Sequence, residues 1–206
     1  MSAEYIHSAI EETLMIEEQN APGTGEYALV ERCRDGDILA FKALYERYRR
    51  PLYSLACRFH GNTQDAEDSL QEAFIRIYKA LPEFRFESRL ETWLYRVVMN
   101  TCISGTRAKR NREERLDPGI ADNLHSGNSA EPDALLRDIL EQAIGRLPQQ
   151  QRAVFLLHAV HGQTHTDIAD TLSISVGTSK SQYHKAKETL KERLADYGIE
   201  RSEMLT

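Results

Sequence analysis

Two runs of basic side chains are the first residues with chemistry to offer. Residues 107–115, RAKRNREER, hold five Lys or Arg against two acids, and residues 178–194 hold five more (Lys180, Lys185, Lys187, Lys191 and Arg193) against two. Such runs suit phosphate groups, although a single run is usually no more than a solvated helix face. Two runs far apart in the chain point to nucleic acid. His158, His161 and His165 fall within eight residues and could in principle bind zinc, but Gly162 interrupts the pattern between them and no fourth ligand is evident. No metal and no cofactor are expected. The carboxylates of residues 65–72 mark no acid/base pocket, and the chain has no Walker loop, GxGxxG or HExxH. No catalytic residue is assigned, and an enzyme is not expected.

The overall charge of -6 sits badly with nucleic-acid binding until its distribution is read. Residues 1–28 carry six of the 32 acids and no Lys or Arg, leaving 26 acids against 26 bases in the remainder. The body of the chain is therefore neutral, and its bases are clustered. At 206 residues and 41% hydrophobic, the chain is long enough for one large domain or two small ones. No apolar run approaches a membrane span, and the N-terminus MSAEYIHSAIEE has neither the basic start nor the apolar core of a signal peptide. A cytoplasmic protein without membrane insertion is expected. Cys33, Cys57 and Cys102 are odd in number and far apart, so they read as small core residues rather than disulfides or metal ligands.

The elements that must position these groups are helices. Apolar residues recur in three- and four-residue steps at Leu29, Val30 and Cys33, at Phe41, Leu44 and Tyr45, and at Leu52, Leu55, Ala56 and Phe59. The steps continue at Leu70, Ala73, Phe74, Ile77 and Leu81, then at Leu90, Leu94, Val97 and Val98. RDGD at 34–37 and HGNTQD at 60–65 read as turns, with Thr63 or Asp65 as a helix N-cap, and Pro82 should end or kink a helix. Residues 116–134, LDPGIADNLHSGNSAEPDA, have no Lys or Arg and no apolar period, and read as a flexible acidic linker. Helical spacing returns from Leu135 through Leu147, with a break at Pro148. The expected fold is all-α: two small helical domains joined by a flexible linker, the C-terminal one a helix-turn-helix.

That assignment rests on THTDIADTLSISVGTSKSQYHKAK. A helix-turn-helix needs a small residue where its helices approach, here Ala169, with Ile168 and Leu172 on the apolar face and Ile174 and Val176 securing the turn. Ser175 can cap the second helix, which would expose Thr178, Lys180, Ser181, His184, Lys185 and Lys187 to phosphates or base edges. The stretch resembles the DNA-reading region of extracytoplasmic-function sigma factors, the small initiation subunits of bacterial RNA polymerase. The resemblance implies that Thr178, Lys180, Ser181, His184 and Lys185 face the minus-thirty-five element. The chain departs from the family's pattern at Gln182, where an arginine is common, and at Ser173 and Ser175, which replace the usual glycine and proline of the turn.

The same family is resembled upstream. DAEDSLQEAFIRIYKALPEF (65–84) is similar to the helix that docks on the clamp helices of the polymerase β′ subunit, which implies that Asp68, Gln71 and Glu72 contact core polymerase and that Phe74 mainly packs. TWLYRVVMN (92–100) and the residues before it resemble the surface that flips out a base of the minus-ten element. Flipping costs a few kcal/mol of stacking and pairing, which contacts to the extruded base must return. Asn100 has the donor and acceptor to do so, and the resemblance sets Phe84, Arg85 and Ser88 on the loop beside it. Arg107, Lys109, Arg110 and Arg112 would hold backbone phosphates, giving salt-dependent affinity without sequence information. Trp93 reads as core rather than as a reader of DNA.

The resulting organisation is an acidic extension over 1–26 and a polymerase-binding and minus-ten domain over 27–115. The linker (116–134), a minus-thirty-five domain over 135–197 and a tail over 198–206 follow. Ile6, Ile10 and Leu14 could line a short amphipathic helix in the extension. The expected partners are core RNA polymerase, promoter DNA and, as the resemblance implies, an anti-sigma factor. An autonomous helix-turn-helix regulator is the alternative, and it would bind a palindrome without polymerase.

Overall fold

The computed structural model describes residues 24–116 and 132–195, with side chains described over 25–110 and 138–195. The expected amphipathic helix at Ile6, Ile10 and Leu14 lies outside the described residues. Among the described residues there are eight α-helices and no strand. In the first lobe they are α1 (Thr24–Arg34), α2 (Ile38–His60), α3 (Thr63–Ala80) and α4 (Leu90–Leu116); in the second, α5 (Pro132–Gly145), α6 (Gln149–Phe155), α7 (His165–Leu172) and α8 (Val176–Ala195).

The turns follow from backbone chemistry. Asp37 caps α2 by accepting from the backbone N–H groups of Leu39 (2.9 Å) and Ala40 (3.1 Å). Gly61 ends α2 at φ +74°, a left-handed conformation that suits glycine. Two apolar series of the sequence fuse into this one helix, which runs through Pro51. The cap of α3 is Asn62, not Thr63 or Asp65: its side-chain oxygen accepts from the Asp65 N–H at 2.8 Å, so Thr63 is already helical. Pro82 does end α3, which tightens into a 3-10 turn over Leu81–Glu83. The helix α5 begins at Pro132, inside the stretch read as linker, because proline suits the first helical position, where no N–H partner is needed.

In the first lobe α2, α3 and α4 pack together around Leu44, Leu52, Leu55, Phe59, Ile77 and Leu94. In the second, α6 continues as a π-helical turn (Leu156–Val160) and packs with α7 and α8 around Val154, Leu157, Ile168 and Leu190. The lobes touch. Arg58 pairs with Glu141 at 2.8 Å, the Tyr95 ring lies 4.4 Å from His161, and the Arg152 guanidinium donates to the Phe59 carbonyl at 2.5 Å. The same guanidinium also donates to the carbonyls of Gly145 and, at 3.0 Å, Leu147, so one half-buried cation closes the end of α5 and holds the first lobe. Cys102 is fully buried, whereas Cys33 and Cys57 are only half-buried.

Candidate nucleic-acid and polymerase interfaces

The apolar period of α3 turns Ala66, Ala73, Phe74 and Ile77 inward and leaves Asp68, Gln71 and Glu72 exposed on the other side. Glu72 pairs with Arg76 at 2.9 Å, and Asp68 accepts from Gln64 at 3.3 Å. Beside them lies a feature that sequence reasoning missed, an open groove of about 640 Å³ between α2 and α3. Phe41, Tyr45, Leu70, Ile75 and Tyr78 line it, Phe41 edge-on to Tyr78 at 4.9 Å and Tyr45 against Phe74 at 4.6 Å. Ile75 and Tyr78 are 46% and 53% exposed, on the face of α3 that ought to be polar. That misplacement was the available signal, because large apolar groups left in water on a polar helix face suggest a surface meant to be covered.

Between the 3-10 turn and α4, residues 84–89 form a short loop. Arg85 and Ser88 line a cleft of about 780 Å³ together with Arg34 of α1 and Trp93 and Arg96 of α4. Phe84 reaches the same cleft, but it is 5% exposed and its ring packs on Phe86 (4.8 Å) and Trp93 (5.1 Å). The Phe84 ring is a floor, not a free reader. Trp93, half-buried, joins that floor. Asn100 is exposed on α4, on the face of Trp93 and Arg96 by its three- and four-residue spacing and about 6 Å along the axis from Arg96. It lies beyond the residues that line the cleft. Farther along α4, Arg107 and Arg110 are exposed, while the Lys109 ammonium is bound to Asp65 at 2.8 Å. That pairing, with Asn62, holds the Asp65 carboxyl below its ordinary range despite the opposing effect of burial. Arg112 lies on α4, with its side chain outside the described residues. The sequence reading missed Arg34 and Arg96, since neither lies in a basic run. The far wall of the cleft is acidic: Asp167 and Asp170 of α7.

The helix-turn-helix is formed by α7 and α8. A reciprocal capping box starts α7, with Thr164 and Asp167 each accepting from the other's backbone N–H. Ala169 is buried at the approach of the two helices, and the fully buried Ser179 bonds His165 Nδ1 at 2.9 Å. Ser173 closes α7 at φ +54° and ψ +48°, the left-handed position that its family glycine would occupy without strain. Ser175 caps α8 by accepting from the Thr178 N–H at 2.9 Å. Ile174 packs on the core as expected, but Val176 is 38% exposed, because as the first residue of α8 it faces outward. Lys180, Ser181, His184 and Lys185 are exposed on one side of α8, whereas Thr178 is half-buried, its hydroxyl 2.8 Å from that of Ser175.

The three histidines diverge. His158 stacks on His165 at 4.2 Å and donates through Nδ1 to the Gln163 carbonyl at 2.7 Å, while His161 turns to Tyr95. Burial and the nearby Arg58 push the His161 pKa down to about 4.

Sigma-70 region 2 matches residues 44–112, covering most of α2, all of α3 and most of α4, and Sigma-70 region 4 matches residues 137–190, covering α7 and most of α8. The RNA polymerase sigma-H factor of Pseudomonas aeruginosa is 36% identical over 177 residues, 81% of this chain and 92% of that protein. The ECF RNA polymerase sigma-E factor of Escherichia coli K12 is 33% identical over 180 residues, 82% and 94% of the two chains. Among solved structures, the sigma factor RpoE of Bartonella quintana, in complex with the anti-sigma factor NepR, is similar with a TM-score of 0.66 and 25% identity, over 75% of this chain and 96% of that one. With both regions in order and identity sustained across nearly the full length of its relatives, the chain belongs to the extracytoplasmic-function sigma factors.

Proposed function

We propose that this protein directs core RNA polymerase to a set of promoters by gripping the two promoter elements with different lobes, and that it performs no chemistry itself. One observation carries the reading. The first lobe contributes Arg34, Arg85 and Arg96 to a cleft that also holds the carboxylates of Glu83, Glu87, Asp167 and Asp170, near an exposed amide on α4, and the second presents Lys180, His184 and Lys185 on the outer side of a helix-turn-helix. A concave site with cations and aromatic groups suits an unpaired strand, and a protruding basic helix suits a major groove. Asn100 would bond the flipped base just beyond the cleft that Arg85 and Ser88 line, with Arg107 and Arg110 on phosphates. Thr178, capped by Ser175, would orient the start of the reading helix.

Core polymerase would seat on α3. The polar residues Asp68, Gln71 and Glu72 provide a charged rim, and the neighbouring groove of Phe41, Tyr45 and Tyr78 provides the apolar contact that a stable interface needs. A protein that acts on promoter DNA would work in the cytoplasm. Among the described residues no helix is long and apolar enough to cross a membrane. An anti-sigma factor is the expected regulator, as one is bound to the Bartonella quintana relative.

Transcription of the organism's genomic DNA by core enzyme, with and without this protein, tests the reading. Mapped 5′ ends should reveal new start sites that share two upstream motifs. If the added protein yields no starts beyond those of core enzyme, the reading is wrong. Tight binding of a palindromic duplex by the protein alone would favour an autonomous regulator instead.

A further inference from the structure

The loop of residues 84–89 has little regular structure to hold it, yet it is held in an unusual shape. Phe86 lies at φ +56°, in the left-handed region that bulky side chains rarely adopt. Such a conformation persists only where the surroundings enforce it. The surroundings are α1, which precedes the segment matched to Sigma-70 region 2. The Arg34 guanidinium donates to the Phe84 carbonyl, is itself oriented by the Glu31 carboxylate, and lies 5.6 Å from the centre of the Phe86 ring. Tyr27 closes the other contact, with its ring 4.8 Å from Phe86. From there the aromatic chain runs through Phe84 to Trp93 on α4. A single guanidinium thus fixes the backbone at one loop residue and the side chain at another, and between those two residues sits Arg85.

We infer that Arg34 is a positioning residue for base discrimination at the minus-ten element. This rests on the promoter-reading function proposed above. Arg34 acts through the Phe84 carbonyl and the Phe86 ring, which set the direction in which Arg85 and Ser88 enter the cleft. A lysine cannot replace it, since one ammonium lacks the planar fork that meets the carbonyl, the Glu31 carboxylate and the aromatic face together. Arg34 also lines the cleft, so the rival account is a plain phosphate contact. The two differ in what they do to specificity: a lost phosphate contact weakens all sequences alike and lowers the salt slope by about one, whereas a misplaced loop blurs the choice between bases.

The experiment uses holoenzyme reconstituted from core enzyme and the full chain. Initiation is measured on a promoter found by the 5′-end mapping above and on copies with single-base changes in the minus-ten element. The wild-type protein should prefer the unaltered element. Arg34→Lys should reduce that preference about tenfold or more, while its salt slope, its preference at the minus-thirty-five element and its affinity for core enzyme stay as in the wild type. Phe86→Gly keeps the left-handed backbone accessible but removes the ring that Arg34 and Tyr27 hold. It should lose discrimination in the same way, and it decides the matter should Arg34→Lys fail to fold, as judged by thermal melting. Wild-type discrimination in both variants overturns the inference, as does a uniform loss with a reduced salt slope. If the wild-type protein itself starts no transcription, the promoter-reading function falls first and this inference with it.

Discussion

The two lobes solve the reading of DNA in opposite ways. In the second, the candidate reading side chains stand on α8, a helix fixed by its own hydrogen bonds, by the Ser175 cap and by the buried Ser179, Ala186, Leu190 and Leu194. In the first, the candidate readers are divided between a loop and a helix, and the loop needs Arg34 and Tyr27 from a separate element to keep its form. Intact duplex offers a groove that accepts a rigid rod, so a preformed helix suffices. An unstacked base needs a hollow, and a hollow lined by side chains from α1, the loop and α4 needs residues whose only task is to hold the others. The expectation is that the first lobe has more ways to fail without unfolding.

The largest effect expected is at the junction where the lobes meet. Arg152 donates to three carbonyls, two in the second lobe and one in the first, and burial lowers its pKa. Replacing it with methionine leaves buried carbonyls without a donor, at a cost of about 3 kcal/mol. Chemical denaturation should then resolve two transitions in place of a single cooperative one, because each lobe keeps its own core while the link is lost. A single unshifted transition would mean that the lobes are not coupled through this residue.

Acid should weaken the same junction. His161, against Tyr95, titrates at about 4 in the folded chain, below its ordinary value of 6.5, because burial and Arg58 disfavour the imidazolium. The unfolded chain binds the proton more readily, so the stabilisation is complete above pH 6.5 and is lost as the pH falls toward 4. Allowing for partial exposure, the effect is about 2 kcal/mol. His161→Phe should flatten the stability profile across that window, measured by urea denaturation at each pH.

A smaller effect separates the kinds of reading. Asn100→Ala should reduce initiation roughly tenfold, about 1.4 kcal/mol, with no change in affinity for a minus-thirty-five duplex. Lys180→Ala with Lys185→Ala should instead weaken that duplex and lower its salt slope by about two. Equal effects of both changes on both elements would erase the division between the lobes.

Much of this was legible in the sequence. Every helix boundary set by Gly36, Gly61, Pro82 or Pro148 could be read, because glycine and proline act through their own backbone geometry. The helix-turn-helix was legible too, since its small residue, cap and basic face lie within 24 consecutive residues. The groove between α2 and α3 was only half legible: Ile75 and Tyr78 stand off the apolar period of α3, but Phe41 and Tyr45 fit a period that looks like core, and only packing shows that the two sets line one groove. The Arg34–Phe84 contact spans fifty residues, and Arg152 reaches Phe59 across 93. No local pattern announces such partners, because a lone arginine near a turn has the same spacing whether it is solvated or engaged.

The smallest expected effect tests whether the second lobe is as free of strain as its helical reader suggests. Ser173 lies at φ +54° and ψ +48°, where its Cβ crowds the following carbonyl, an arrangement that costs an ordinary residue roughly 1 kcal/mol. Glycine removes that crowding but gives up conformational entropy in the unfolded chain, which offsets part of the gain. Ser173→Gly should therefore raise stability by about 0.5 kcal/mol, seen as a higher urea midpoint with an unchanged slope. Affinity for the minus-thirty-five duplex should not move, because Ser173 is exposed in the turn and α8 keeps its own cap at Ser175. If the glycine variant instead bound DNA less well, the turn would be part of the reader. The contrast between a self-sufficient helix and a loop held from outside would then be one of degree.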